Sequence, residues 1–537
     1  MRKLLLSLLA AMTLAAQTGA TLTGHVADPH GQPITKATIL LRPVPTAPGP
    51  PPQPYAALTN DKGDFFFEGV DPGNYTLSAT RTGFLPFTLG ATHASPAARP
   101  FTLVAGKPAS PVAIVLTPAA AISGKVLDED GEPVSAFLTI SRERFEEGVR
   151  KLVIVKGVFP EVDGDGRYRI SGLEAGRYYL TARAPGPVIP FPSGGYASTN
   201  GAVFIATQVN SAARPGTPKS DYTATWYPDA IDQRDARPLD LIAGQELSGV
   251  DIRMRKSAVF TMRGRINGAI PGHPVDQYRV LLSAPDRTSG VMATLSPNVS
   301  PDGTFEIVGI PNGDYDLTVA SGRLGGPTPP LSAQRVSVRG HDAEGVVIDL
   351  KPLGSVSGSI VSGNDKPASG VTVNLTSVDG PLVKLKSGPT KETVQFELSD
   401  VPPGNYRVSV TGNVPGTYLK PGPTLEVMSG VAIDKLQLTL GQAGIVTGTA
   451  PAGYLITLVP EPLRPDLPEL YKQAVTDDRG QFDLPSVPPG AYRVFAWKDI
   501  EPGAWFDPEF LKPHAAQSVP VTIEENATAQ VKLPGIQ

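Results

Sequence analysis

A short pattern returns five times along this chain without insertion or deletion, and it limits the fold more than any other feature. An aromatic residue opens it, at Phe65, Tyr168, Phe305, Phe396 and Phe482, and two positions on stands Phe67, Ile170, Ile307, Leu398 or Leu484. That alternation puts both side chains on one face of a strand. Five positions after the opening aromatic comes Val70, Leu173, Ile310, Val401 or Val487, and eight after it Gly73, Gly176, Gly313, Gly404 or Gly490. Ten positions after it there is always a tyrosine: Tyr75, Tyr178, Tyr315, Tyr406 and Tyr492. Tyrosine supplies only 15 of the 537 residues, so its fivefold return in register marks a structural repeat.

The block reads as strand, tight turn, strand. Its glycine supplies a backbone angle that other residues resist, and Val401-Pro402-Pro403-Gly404 and Val487-Pro488-Pro489-Gly490 carry prolines that pre-set the turn. A tyrosine directly after such a turn can bury its ring and return its hydroxyl to nearby backbone, as the tyrosine corner of Greek-key sandwiches does. That corner role is the expectation for all five tyrosines.

Upstream of each block a glycine sits among alternating apolar residues, at Gly24-His25-Val26, Gly124-Lys125-Val126, Gly264-Arg265-Ile266, Gly358-Ser359-Ile360 and, more weakly, Gly448-Thr449-Ala450. Downstream, units close with strands such as Val112-Ala113-Ile114-Val115-Leu116 or Val346-Val347-Ile348-Asp349-Leu350. Six or so strands per unit is the count of a sandwich. No sustained 3.6-residue periodicity is present, and the charged stretch Ser141 to Lys151 reads as a loop or one helical turn. The fold class is therefore all-β: a tandem array of about five antiparallel, Greek-key type sandwiches. A length of 537 residues agrees, since roughly 100–150 residues build one core. The expected divisions are a signal peptide (1–20) and sandwiches at 21–117, 118–255, 256–352, 353–441 and 442–537, the second with a long insertion at about 185–240. Junctions with almost no spacer suggest a fairly stiff string of beads, and the prolines between Pro43 and Pro54 an extended loop.

Met1-Arg2-Lys3 followed by an apolar run from Leu4 to Ala16 has the form of a secretory signal, with cleavage after Ala16 or Ala20. A run of thirteen residues falls short of the roughly 20 that span a bilayer, so no membrane span is expected after its removal. Export to the periplasm, cell surface or medium follows. With 47 basic and 51 acidic residues the chain lacks the basic stripe that nucleic acid demands. The absence of cysteine excludes disulfides, thiolate metal sites and a cysteine nucleophile.

The order Gly-x-Val, Asp-x-x-Gly-x-Pro, then Asp-x-x-Gly-x-Phe-x-Phe-x-Gly-Val-x-Pro-Gly-x-Tyr-x-Leu, as it runs from Gly24 to Leu77 with Asn60 in place of the second Asp, resembles the carboxypeptidase regulatory-like domain. The resemblance extends over nearly the whole mature chain, is best in the first two modules and the last, and implies a transthyretin-like sandwich related to Cna-B repeats and starch-binding-like folds. It is specific for fold rather than activity. Cna-B modules often carry a Lys to Asn isopeptide bond, but His25, Lys125, Arg265, Ser359 and Thr449 occupy the matching opening-strand position, so no such bond is expected here.

No catalytic centre, cofactor site or metal site is expected. His25, His30, His93, His273, His341 and His514 are scattered and lack the spacing of a zinc helix. Gly354-Ser355-Val356-Ser357-Gly358 has valine where a nucleophile elbow needs serine. Asp128-Glu129-Asp130-Gly131 and Asp163-Gly164-Asp165-Gly166 offer oxygens that could suit calcium, although hairpin turns need the same residues for backbone reasons. The candidate ligand-binding residues are the aromatics outside the common block: Tyr222, Trp226 and Tyr227 in the insertion, and Trp497, Trp505 and Phe506 after the last tyrosine strand. Such rings either stack on sugars or peptides or cover the open end of their own sandwich. The resulting expectation is a non-enzymatic envelope or secreted scaffold that displays loops to a glycan, peptide or envelope protein. The alternative is an accessory subunit of a separately encoded hydrolase or outer-membrane transport system.

Overall fold

The computed structural model describes residues 19–536 apart from 46–51, 93–97, 147–148, 156, 159, 185–196, 200–201, 205–219, 284–293, 296–298, 322–329, 363–368, 380–382, 391–394, 413–415 and 421–423. Residues 1–18 of the expected signal peptide, much of the 185–240 insertion and the centre of the proline run lie outside the described residues, whereas Ala20, the last residue of the expected signal, is buried in the first strand of the fold. The chain divides into two compact units. One runs to Ala121 and takes in Ser171–Ala175 and Leu241–Glu246; the other comprises Ile122–Ile170, Gly176–Asp240 and Leu247–Gln537.

The first sandwich shows the plan. Strands β1 (Ala20–Ala27), β2 (Thr38–Pro43), β3 (Tyr55–Leu58), β4 (Asp64–Val70), β5 (Gly73–Thr80), β6 (Phe87–Thr88), β7 (Phe101–Leu103) and β8 (Val112–Val115) form two sheets, ordered β4-β1-β8 and β3-β2-β5-β6, with β7 also on β5. Their inner faces alternate as the pattern requires: Leu22, Val26, Ile39, Leu41, Phe65, Phe67 and Leu77 are buried in one cluster. Burying each such side chain stabilises by roughly 1.5–3 kcal/mol. Separate clusters around Met262 and Tyr278, around Val356 and Tyr406, and around Val446 and Tyr492 serve the third, fourth and fifth sandwiches.

The opening strand is central in each first sheet. It runs antiparallel to the first strand of the block and parallel to the closing strand, with Gly24 opposite both Phe65 and Val112, and Gly264 opposite both Phe305 and Val346. The parallel pairing refines the antiparallel expectation: the closing strand returns from the second sheet across the sandwich, so it enters beside the opening strand in the same direction.

The recurring glycine answers to that geometry. A Cβ at Gly358 would lie 1.9 Å from the Leu436 carbonyl oxygen, and at Gly24 2.4 Å from that of Val112 and 2.3 Å from the Phe65 ring. Only hydrogen fits there, and the aromatic that opens the block covers the bare backbone.

The described residues from Ser141 to Lys151 are strand rather than loop or helix. They belong to a hairpin of Phe137–Glu146 and Val149–Ile154, extended by Gly176–Arg183 and Thr225–Trp226 into one sheet. From the insertion, Ser220–Tyr222 pairs with the opening strand of the third sandwich, Ser220 opposite Ala258 and Tyr222 opposite Lys256.

Candidate interaction surface

Four of the five tyrosines of the repeat hold their own turns. Tyr75 donates its hydroxyl to the Asp71 carbonyl at 2.7 Å, Tyr315 to Pro311 at 2.9 Å, Tyr406 to Pro402 at 2.7 Å and Tyr492 to Pro488 at 2.8 Å. Each bond spans four residues back across the Gly/Pro turn. Tyr178 is fully buried in the second sandwich, with the Arg142 guanidinium 5.8 Å from its ring centre. Burial pushes the phenols of Tyr75, Tyr315 and Tyr406 up to about 12, and that of Tyr492 upward too.

The candidate aromatics form two separate groups. Trp226 is 6 % exposed and pairs opposite Thr181; Tyr227 beside it is half-buried. Tyr222 donates to Asp128 Oδ2 at 3.3 Å and has Lys256 Nζ 4.8 Å from its ring centre. In the fifth sandwich Trp497 is 2 % exposed, donates Nε1–H to Thr457 Oγ1 at 2.9 Å and stacks on Phe495 at 5.3 Å. Trp505 is 7 % exposed, and Phe506 packs on Tyr471 at 4.2 Å. The three indoles therefore lie inside, with no free face for a sugar ring to stack on.

The segment carrying Trp505 and Phe506 meets the second sandwich instead. Gln481–Val487 and Gly490–Trp497 belong to the fifth core, and the short helical turns Ala504–Phe506 and Pro508–Leu511 follow. Asp507 caps the second turn by accepting from the Glu509 N–H at 2.9 Å. Its other oxygen takes Arg150 at 2.9 Å, and Arg150 also reaches Glu143 at 2.9 Å. Arg142 lies 2.7 Å from Glu501. Glu143, then Asp507, hold the Arg150 guanidinium above its ordinary range against the opposing cost of burial. Gly503, at φ +86°, is so close to the hairpin that a Cβ would stand 2.3 Å from the Phe145 carbonyl oxygen. Sequence reasoning missed this surface. The alternating charges Arg142-Glu143-Arg144 were its only local signal, and alone they describe a solvated loop equally well.

The fifth sandwich is also tied to the fourth. Glu525 accepts from Tyr418 at 2.9 Å and pairs with Lys420 at 3.0 Å, and both partners hold its carboxyl below the usual range. Arg407 donates to the Asp466 carbonyl, and the Gly416 N–H to Ser486 Oγ at 3.1 Å. A module that grips both its neighbour and a non-neighbour differs from a string of beads.

The acidic turns carry a backbone function. Asp128 Oδ1 accepts from the N–H groups of Asp130 and Glu132, both at 2.9 Å, and Asp163 Oδ1 from those of Asp165 and Arg167. Neutral Asn60 makes the same pair of bonds to Lys62 and Asp64. Charge is thus unnecessary for the motif. Among the described residues no group of three or more His, Asp or Glu is placed to hold a metal ion.

Residues 21–117 match the carboxypeptidase regulatory-like domain. No curated protein matches the chain. Among solved structures it is similar to the Bacillus anthracis TIE protein, at 13 % identity over 76 % of this chain and 72 % of that one, with a TM-score of 0.16. It is also similar to a streptococcal ancillary pilin, at 12 % identity over 51 % of this chain and 98 % of that one, with a TM-score of 0.20. GBS52, the minor pilin of Streptococcus agalactiae, shows 15 % identity over 44 % of this chain and 97 % of that one, with a TM-score of 0.21. Among the described residues no helix is long and apolar enough to cross a membrane.

Proposed function

We propose that this chain is an exported, non-enzymatic scaffold of the cell envelope whose sandwiches hold display surfaces for a glycan, peptide or protein partner. The observation that carries the reading is the use made of the polar side chains singled out above. The tyrosines fasten turns, the turn aspartates bind backbone N–H groups, and Arg142 and Arg150 join the second sandwich to the fifth. Chemistry of this kind fixes the positions of surfaces relative to one another, which is what a scaffold requires. The apolar leader from Leu4 to Ala16 supports export.

The match of residues 21–117 favours a second reading, an accessory subunit of a separately encoded hydrolase or outer-membrane transport system. Fractionation of the native host followed by affinity capture on the mature chain separates the two. A scaffold is recovered outside the inner membrane with a structural envelope component. Stoichiometric recovery with one hydrolase or transporter favours the accessory role, and retention in the cytoplasm defeats both.

A further inference from the structure

Several outward-facing arginines of the later sandwiches are matched to carboxylates. On the outward faces of the Gly/Tyr-containing sheets, Arg177 pairs with Asp240 at 2.8 Å, Arg335 with Asp316 at 3.1 Å and Arg493 with Glu461 at 2.9 Å. The corresponding face of the first sandwich has no such pairs among the described residues. Lys36, Arg42 and Arg81 belong to the same sheet and its adjoining turns, and among the described residues none of the three makes an ion pair.

What lies between them is a field of hydroxyls. On β2 and β5 the residues that do not enter the core are Thr38, Leu40 and Arg42, and Thr76, Ser78 and Thr80. The register puts Thr38 opposite Thr80, Leu40 opposite Ser78 and Arg42 opposite Thr76, and Ser78 also faces Thr88 of β6. No carboxylate stands in these rows. At one end a cleft of about 370 Å³ is lined by Lys36, Arg81, Thr38, Thr80 and Thr82, with Phe84 and Pro86 as its apolar members. At the other end stands exposed Arg42. Thr38 and Arg42 are four residues apart on one strand, a span of about 13 Å at the usual rise.

We infer that this face of the first sandwich binds an acidic polysaccharide. Separated cations match carboxylates carried on successive sugars, and charge-assisted hydrogen bonds to them are the strong ones. The threonine and serine hydroxyls both donate and accept, as sugar hydroxyls do. Phe84 and Pro86 offer apolar contact to the C–H side of a ring held in the cleft. A single small anion would need only one end of this arrangement, and a neutral glycan would leave the cations unmatched. The inference rests on the scaffold reading and names the partner chemistry for one of its surfaces.

The test uses the full mature chain and calorimetric titration with polygalacturonate, with a neutral glucan of similar length and poly-glutamate as comparisons. Polygalacturonate is expected to bind, with affinity falling as salt rises. The Lys36→Ala/Arg81→Ala double variant is expected to bind at least tenfold more weakly, and Arg42→Ala to weaken it further. Arg177→Ala, at a paired arginine of the second sandwich, is expected to leave binding unchanged, and unaltered melting of each variant checks folding. Failure to bind polygalacturonate, or equal binding of poly-glutamate, overturns the inference. If the double variant still captures the envelope partner of the native host, the scaffold reading survives that failure; if wild type captures none, that reading fails separately.

Discussion

Arg150 and Asp507 stand 2.9 Å apart although 357 positions separate them in sequence. Two whole sandwiches lie between, yet the Arg150 side chain also sits 4.9 Å from the centre of the Phe145 ring, and Gly503 abuts the Phe145 carbonyl. The contact therefore closes the second to fifth sandwiches on themselves through one hairpin and one helical turn.

Closing the contact depends most on Gly503. Its φ of +86° disfavours any side chain, and the backbone oxygen 2.3 Å from a would-be Cβ cannot move as a side-chain tip could. Gly503→Ala is expected to destabilise the closed form by about 1–3 kcal/mol and to expand the chain, read as a larger radius of gyration in solution scattering. Arg150→Ala should have the smaller effect of about 0.2–1 kcal/mol and diminish with added salt, because the guanidinium is 56 % exposed. An unchanged radius for Gly503→Ala would show that the two modules do not hold each other in solution.

The corner bonds make a second, local prediction. Tyr406 and Tyr492 are each 1 % exposed, so removing the hydroxyl leaves the Pro402 or Pro488 carbonyl without that donor inside the protein. Tyr406→Phe and Tyr492→Phe are each expected to cost about 1–3 kcal/mol. A chain of several cores need not unfold in one step, so hydrogen exchange resolved by module is the suitable measurement. Faster exchange in the fourth sandwich for Tyr406→Phe, with the third unchanged, is the expected outcome. Uniform exchange in wild type and variant would remove the corner from the stability argument.

How much of this was legible follows from how local each feature is. The block from Phe65 to Tyr75 is contiguous, its alternation matches one strand pair, and its glycine marks the turn, so the sandwich could be read directly. The parallel partner of the opening strand could not, because the Val112 carbonyl facing Gly24 comes from far along the chain and leaves no spacing signal. The hairpin at Ser141 was obscured for a different reason. Ser141 and Thr181 are polar yet 1 % and 2 % exposed, so its outward face does not show the plain apolar-in, polar-out rhythm of a solvated strand. The indoles of Trp226, Trp497 and Trp505 illustrate the limit most plainly: a sequence tells that a large ring needs contact area, while only the fold tells whether protein or ligand supplies it.

Alkaline titration offers a third test, with a fixed sign. Tyr75, Tyr315 and Tyr406 are pushed up to about 12 from an ordinary value near 10, chiefly by burial, with Tyr55 and Asp71 adding to the effect at Tyr75. Folding therefore favours the neutral phenol. The stability this confers is complete below pH of about 10 and is lost as the pH rises through about 12. Tyrosinate absorbance is expected to develop in two stages, with the later one accompanying loss of β-structure by circular dichroism. A single reversible stage near the ordinary phenol value, with the fold intact, would contradict the buried corner.

The fourth prediction concerns the pairing of Gly358 with Phe396 in the fourth sandwich. Three elements converge there: the opening strand that carries Gly358, the block strand that carries Phe396, and the parallel closing strand whose Leu436 carbonyl would lie 1.9 Å from an added Cβ. Gly358→Ala must push the closing strand away, and that strand supplies Leu438 and Leu440 to the core. The expected cost exceeds about 3 kcal/mol, at the upper end for one methyl group, because backbone rather than a flexible side chain must yield. Phe396→Leu should cost less, about 1–2 kcal/mol, since it trims a buried core side chain without forcing strands apart. If the two were independent, their combination would add; because Phe396 and Gly358 stand directly opposite each other across the strand pair, the double variant is expected to cost less than the sum by about 0.5–3 kcal/mol. Additivity within error in module-resolved hydrogen exchange would mean that the aromatic at the head of each repeat is there for the core alone, and that its position opposite glycine has no energetic content.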